Sequence, residues 1–256
     1  MIDEPLARGT TLVHGLDPRG KLLACLALSL VAALARTMAA PLAVLGVGVA
    51  LSILARPPWR VLLARLGAVN AFVAFLWLVV PVSAPGEPIA HLVDGLAVTR
   101  EGVALAGLIT LKTNAIFLCV LALVATTPAP SLARAMAALG VPDKFSFLFL
   151  FTYRYLHVIA EEYGRLATAA RLRGFVPATS RHAYRAYAAL VAMVLVKSFD
   201  RSHRVYQAML LRGFTGAFPS LARFSPGRRD AAFAAVMAMA LGCSLLLEFW
   251  WGRGHV

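Results

Sequence analysis

Val103 to Ala125 is a run of 23 residues whose only charged member is Lys112. A helix of that length and apolarity is long enough to cross a hydrocarbon layer about 30 Å thick. The rest of the chain agrees with it. Of the 256 residues 60% are apolar and 14% charged, and the mean hydropathy is +0.76. That balance lies outside the soluble globular range and predicts an all-α, polytopic membrane protein.

Three further pieces of the pattern define the N-terminal membrane part, residues 1–125. Residues 1–21 are a polar lead-in, in which Asp17-Pro18-Arg19-Gly20-Lys21 reads as a turn followed by a helix start. Asp3 and Glu4 stand where the basic region of a cleavable signal peptide would be, so none is expected. Leu22–Leu34 and Leu42–Leu54 are apolar but short, separated by Arg36 and Pro41. They are either tilted spans, thin spans or the two arms of a helical hairpin. A basic elbow follows, from Arg56-Pro57-Pro58-Trp59-Arg60 to Arg65. An apolar helix over 66–82 then ends near Pro81, and a loop over 83–102 is acidic on balance. Lys112 and Asn114 interrupt the long run, and ionisable groups there face protein or water. A packing or snorkelling role suits Lys112 better than a place on a substrate path.

Residues 126–230 break the pattern. They carry 15 of the chain's 25 Lys and Arg, opposed by five acids. Two apolar patches, Phe145–Phe151 and Tyr187–Val196, each run into a helix that ends charged. A last apolar run, Ala231–Trp251, lies in the C-terminal part, residues 231–256, and reads as a clean span with a Trp pair at its far end. With the basic stretches 55–65 and 126–230 on the cytoplasmic side, the N-terminus is cytoplasmic too, and the acidic loop and C-terminus lie outside.

A net charge of +13 in so apolar a chain admits nucleic acid, anionic lipid or an acidic protein partner. No aromatic-studded basic motif supports nucleic acid. The three cysteines fall one per apolar stretch and the six histidines are scattered, so neither a disulfide framework nor a metal site is expected. No nucleophile with its base and no paired acids on one face suggest an enzyme. No phosphate-binding glycine loop of the ATPase kind is present, and no cofactor is implied.

The basic region contains a repeat. Ala169-Ala170-Arg171-Leu172-Arg173-Gly174-Phe175 and Ala208-Met209-Leu210-Leu211-Arg212-Gly213-Phe214 match in one frame, 39 positions apart (212 minus 173). Glu161 and Arg165 stand in the same relation to Asp200 and Arg204. Acid and Arg at i, i+4 are a favourable exposed helix pair, worth about 0.3–0.5 kcal/mol. Gly174 and Gly213 supply the left-handed residue that stops a helix. Arg173 and Arg212 then sit in last turns, where a cation suits the free carbonyls. Arg-Gly alone says little, since it also occurs at Arg8, Arg19 and Arg253. Two matched tips, each a guanidinium followed by a Phe, predict one kind of partner with two equivalent docking sites.

Leu16-Asp17-Pro18-Arg19 before Lys21-Leu22-Leu23, Leu139-Gly140-Val141-Pro142, Phe151-Thr152-Tyr153-Arg154-Tyr155 and Glu161-Glu162 resemble the transmembrane T component (EcfT family) of energy-coupling factor transporters. The two Arg-Gly-Phe ends resemble that family's coupling motifs, and their wording resembles the CbiQ branch, which serves cobalt uptake. The resemblance implies a non-catalytic scaffold in the cytoplasmic (inner) membrane, with long amphipathic coupling helices on the cytoplasmic side. Its partners would be two cytoplasmic ABC ATPases and a separate substrate-binding membrane subunit, the CbiM-like S component. The coupling residues it implies are Arg173 and Arg212, with Ala170, Arg171, Leu172, Gly174, Leu211 and Gly213 shaping the tips. Arg171 stands where the second motif has Leu210, so the two tips are chemically unequal. The cargo it implies is cobalt, with nickel next. The competing class is a free-standing permease, whose site would have to be built from Lys112, Asn114, Thr110 and Thr113.

Overall fold

The computed structural model describes residues 6, 9, 11–93, 96–215 and 227–253. Asp3, Glu4, Asp94, Arg223 and His255 lie outside the described residues. The chain forms two compact units, one including Met136–Arg223 and the other Glu4–Ala135 with Phe224–Val256.

The larger unit holds α1 (Pro18–Leu34), α2 (Ala39–Ala55), α3 (Trp59–Ser83), α4 (Arg100–Leu123) and α8 (Arg228–Arg253). Asp17 caps α1 through its carboxylate, which accepts from Arg19 N at 2.9 Å, and Pro18 fits the first turn. The Asp17 N–H donates in turn to Asp230 Oδ1 at 2.8 Å, joining the starts of α1 and α8. Lys21 is buried and donates to Thr127 Oγ1 at 3.3 Å. Core contacts come from small side chains: Ala24, Cys25, Ala32, Ala115, Cys119 and Ala122, with Leu28, Val44 and Leu123 between them. At Gly48 a Cβ would lie 3.0 Å from Leu118 Cβ and 3.4 Å from the Cys119 backbone nitrogen. The glycine is what lets α2 approach α4 so closely. Bulky apolar groups point the other way, such as Phe72, Phe75 and Leu78 of α3 and Met239, Leu246 and Trp250 of α8. Small residues inside and large ones outside is the arrangement that lipid, rather than water, favours. Among the described residues Trp59–Ser83, Arg100–Leu123 and Arg228–Trp251 are long and apolar enough to cross a membrane. The all-α polytopic class is borne out.

Several boundaries differ from expectation. α3 begins at Trp59, so Arg60 and Arg65 ride on its first turns and the elbow shrinks to Arg56-Pro57-Pro58. Arg56 makes the corner with φ at 47°. The other end of α3 is where it was expected, near Pro81: the helix stops at Ser83, with Pro81 in its last turn. The stretch 83–102 is not all loop: β1 (Pro88–Val93) pairs antiparallel with β2 (Leu96–Thr99), and α4 starts at Arg100 behind a Thr99 cap. Ala231–Trp251 is not a clean span, because it contains Glu248. That carboxylate accepts from Arg36 N at 2.5 Å, Thr37 N at 3.1 Å and Thr37 Oγ1 at 2.5 Å. An acid is tolerated there because it satisfies the open N–H groups of the turn between α1 and α2.

The smaller unit holds α6 (Asp143–Leu172) and α7 (Arg181–Leu211), 30 and 31 residues long. α5 (Ala129–Ala138) leads into it, and Gly140, at φ +90°, turns the chain towards α6. Pro142 precedes α6, where it can start a helix but not continue one.

Candidate functional site

The two Arg-Gly-Phe ends are built alike. α6 stops at Leu172, and Arg173 is its cap residue (φ −87°, ψ 14°). Gly174 then takes φ +83°. The Phe175 N–H returns to Ala170 O at 3.1 Å, and that of Gly174 to Arg171 O at 3.0 Å. At α7 the cap is Arg212 (φ −92°, ψ 11°), followed by Gly213 at φ +78°. Phe214 N donates to Met209 O and Gly213 N to Leu210 O, both at 3.0 Å. This pair of crossed bonds, six-to-one and five-to-two, is the Schellman stop. A Cβ at either glycine would meet nothing within 4 Å. Glycine is therefore required by backbone conformation and not by crowding.

The exposed surface of each tip is a Leu and an Arg. Leu172 is 85% exposed and Leu211 91%. Arg171, Arg173 and Arg212 are exposed as well, and Ala170 is half-buried beneath the first tip. Among the described residues neither Arg173 nor Arg212 has an ion-pair partner within the chain. The two phenylalanines do something other than expected: they turn inward. Phe175 meets Tyr187 of α7 edge-on, with centroids 5.2 Å apart, and Phe214 stacks on Phe147 of α6 at 6.2 Å. Each tip is thus braced against the neighbouring helix, and the Leu-Arg pair is presented, with Arg171 beside it at the first tip and Leu210 at the second.

Midway along the pair sits a group that the sequence reading did not assign. Glu162, with its side chain 12% exposed, takes Lys197 Nζ of α7 on Oε1 and Arg165 Nη2 on Oε2, each at 2.5 Å. Arg201 Nη2 lies 3.8 Å from Oε2. Hydrogen bonds from Lys197 and then Arg165 hold this carboxyl down at about 2. The expected Glu161–Arg165 pair is replaced by Glu162–Arg165 at i, i+3, because Glu162 is the acid facing α7. Among the described residues no ion pair joins Asp200 to Arg204. No spacing along the chain marks this contact, because Glu162 meets Lys197 only through the register of two antiparallel helices. Between Phe151, Tyr155 and Ile159 of α6 and Arg201, Tyr206 and Met209 of α7 runs a groove of about 410 Å³.

Three of the four polar groups that a free-standing permease would offer, Lys112, Asn114 and Thr110, are engaged in holding helices. Lys112 Nζ donates to Ala33 O at 2.9 Å, in the last turn of α1. Asn70 and Asn114 exchange amide hydrogen bonds at 3.0 Å, and Thr110 accepts from Trp77 Nε1 at 2.8 Å. Among the described residues no three of His, Cys, Asp and Glu gather as a metal site.

Residues 9–222 match the family model for CbiQ, described as cobalt transport protein. The chain is 29% identical over 148 residues to the cobalt transport protein CbiQ of Rhodobacter capsulatus, covering 58% of each chain. It is 27% identical over 258 aligned residues to the energy-coupling factor transporter transmembrane protein EcfT of Acidaminococcus fermentans. That alignment covers 95% of this chain and 94% of the relative. Since the family match takes in both long helices and all but the last of the apolar ones, the chain belongs to the CbiQ family of membrane transport proteins.

Proposed function

We propose that this chain is the membrane coupling subunit of an energy-coupling factor importer for cobalt. In this reading Arg173 and Arg212 each insert into a groove of one cytoplasmic ABC ATPase. The observation that carries it is the pair of identical Schellman caps, each presenting an exposed Leu-Arg and each braced by an inward Phe. Two like tips suit two copies of one partner. Ala170, Gly174 and Gly213 shape the caps, Leu172 and Leu211 supply apolar contact, and Arg171 makes the first tip more basic than the second.

The apolar side chains of the same helices offer the surface for a substrate-binding membrane subunit. Phe145 and Leu148 of α6 and Leu195 and Phe199 of α7 are all more than 60% exposed. ATP-driven approach of the two ATPases moves the tips, and this apolar surface passes that motion to the substrate subunit. The chain contributes no hydrolysis of its own. The name of the Rhodobacter relative supports cobalt as cargo. The basic weight of residues 126–230 supports a location in the inner membrane with the tips in the cytoplasm.

The test is purification of the chain with its native partners from mild detergent, with and without Arg173→Ala and Arg212→Ala. A buried interfacial Arg contributes about 2 kcal/mol or more, so each substitution weakens ATPase retention by roughly 30-fold. The doubly substituted chain loses the ATPase while keeping the membrane partner. Full retention of the ATPase and normal cobalt uptake by that variant would refute the reading.

A further inference from the structure

We infer that Glu162 is a positioning residue at the centre of the α6–α7 pair, an ionic pivot through which the two tips move as one. The inference rests on the coupling reading above and adds a residue to it.

Contacts at three levels mark the register of the pair: Phe147 with Phe214, Glu162 with Lys197 and Arg201, and Phe175 with Tyr187. In antiparallel helices a constant sum of residue numbers means a constant register. The sums are 361, 359 with 363, and 362. One register therefore runs the whole length, with Glu162 at its middle. The arms are equal. Arg173 is eleven residues beyond Glu162, and Arg212 is eleven beyond Arg201. At 1.5 Å per residue each arm is about 16 Å long.

The three contacts differ in kind. Aromatic contacts at the two ends hold over a range of offsets and ring angles. A charged hydrogen bond at 2.5 Å does not, since a slip of one residue, about 1.5 Å, breaks it. Register is therefore set at Glu162. Lys197 and Arg201 are one helical turn apart on the same face of α7, at 2.5 and 3.8 Å from the same carboxylate. Lys197 holds Oε1 and Arg201 faces Oε2. A rocking of about 1 Å that opens the Lys197 bond therefore closes the Arg201 one, and Arg165 stays on Oε2 throughout from its own helix. The carboxylate is never left without a partner. That is what a hinge needs and a static clamp does not: two seats for one charge, close in geometry. Displacement of one tip by its ATPase is then carried across the pivot to the other.

The experiment uses the complete complex reconstituted in liposomes, measuring labelled Co²⁺ delivered per ATP hydrolysed. Glu162→Gln keeps both ATPases bound and lowers that ratio at least fivefold. Arg201→Met, which removes the second seat and leaves the Lys197 bond, lowers it at least twofold. The exchange Glu162→Lys with Lys197→Glu recovers at least half of what Glu162→Lys alone loses, and it carries the test if Glu162→Gln fails to fold. An unchanged ratio in a folded Glu162→Gln complex, or an exchange no better than its worse single member, overturns the pivot. The variant with both tip arginines removed separates the two failures. If it keeps its ATPases the coupling reading falls. If it loses them while the Glu162 variants stay coupled, only the pivot falls.

Discussion

The ring of Phe175 stands edge-on to that of Tyr187, 5.2 Å between centroids at 89°. This contact begins just past the end of α6 and closes on the second turn of α7, so it holds the first tip against the neighbouring helix. Its counterpart, Phe214 on Phe147, holds the second. An aromatic pair contributes about 0.5–1.5 kcal/mol beyond its area. Tyr187→Ala is expected to loosen only the Arg173 tip and Phe147→Ala only the Arg212 tip. Each should weaken ATPase binding by about two- to tenfold, measured by titration of the ATPase onto the purified membrane complex. Equal weakening by a control substitution at exposed Tyr184 would contradict this.

Gly174 and Gly213 hold φ near +80° in open space. An alanine in that conformation costs about 1–2 kcal/mol, and no neighbour can relax to offset it. Gly174→Ala and Gly213→Ala should fray the last turn and weaken ATPase retention about tenfold, while Gly→Asn at either site is milder. Hydrogen exchange at the Phe175 and Phe214 amides reports the fraying directly. Unchanged exchange would show that the crossed bonds do not depend on glycine.

Glu162 titrates at about 2 instead of its ordinary 4.5, chiefly through the Lys197 and Arg165 hydrogen bonds. A carboxyl held low in the fold adds stability that is complete above the unfolded value. That stability shrinks as pH falls below 4.5 and is gone once pH passes through about 2. Thermal stability of the detergent-solubilised protein should therefore drop between about pH 5 and pH 2, and Glu162→Gln should flatten that drop. A drop of the same size in both proteins would assign it to other carboxyls.

At Gly48 the approach of α2 to α4 leaves 3.0 Å for a Cβ against Leu118. Backbone of Cys119 lies just behind, so the side chain cannot simply turn aside. Gly48→Leu is expected to destabilise by about 1–3 kcal/mol through overpacking, read as a lower melting temperature in detergent. Gly46→Leu, with nothing within 4 Å of its Cβ position, is the control that should melt normally.

Glu248 accepts three hydrogen bonds from Arg36 and Thr37. Glu248→Ala leaves those donors open at a cost of about 1–3 kcal/mol. Cysteine accessibility at Thr37 should rise in that variant while ATPase binding persists. Protection of Thr37 in both proteins would mean that the turn is held by other groups.

The sequence by itself determined what is decided within a few neighbouring residues. Apolar runs such as Val103–Ala125 commit the chain to a membrane whatever their partners, because hydrocarbon excludes unpaired backbone. Arg-Gly-Phe ends a helix twice because a left-handed glycine and two returning amides lie within six residues of each other. Asp17-Pro18 starts α1 for the same local reason. Tertiary structure decided what depends on distant chain. Glu248 reaches back more than 200 residues to the turn after α1, Lys112 ends that helix at Ala33, and Glu162 finds Lys197 from another helix. Local pattern made Glu161 the partner of Arg165, since spacing counts positions along one helix. Packing gave the role to Glu162, because a carboxylate at the face between two helices collects cations from both, and only the register of the pair fixes which residues share that face.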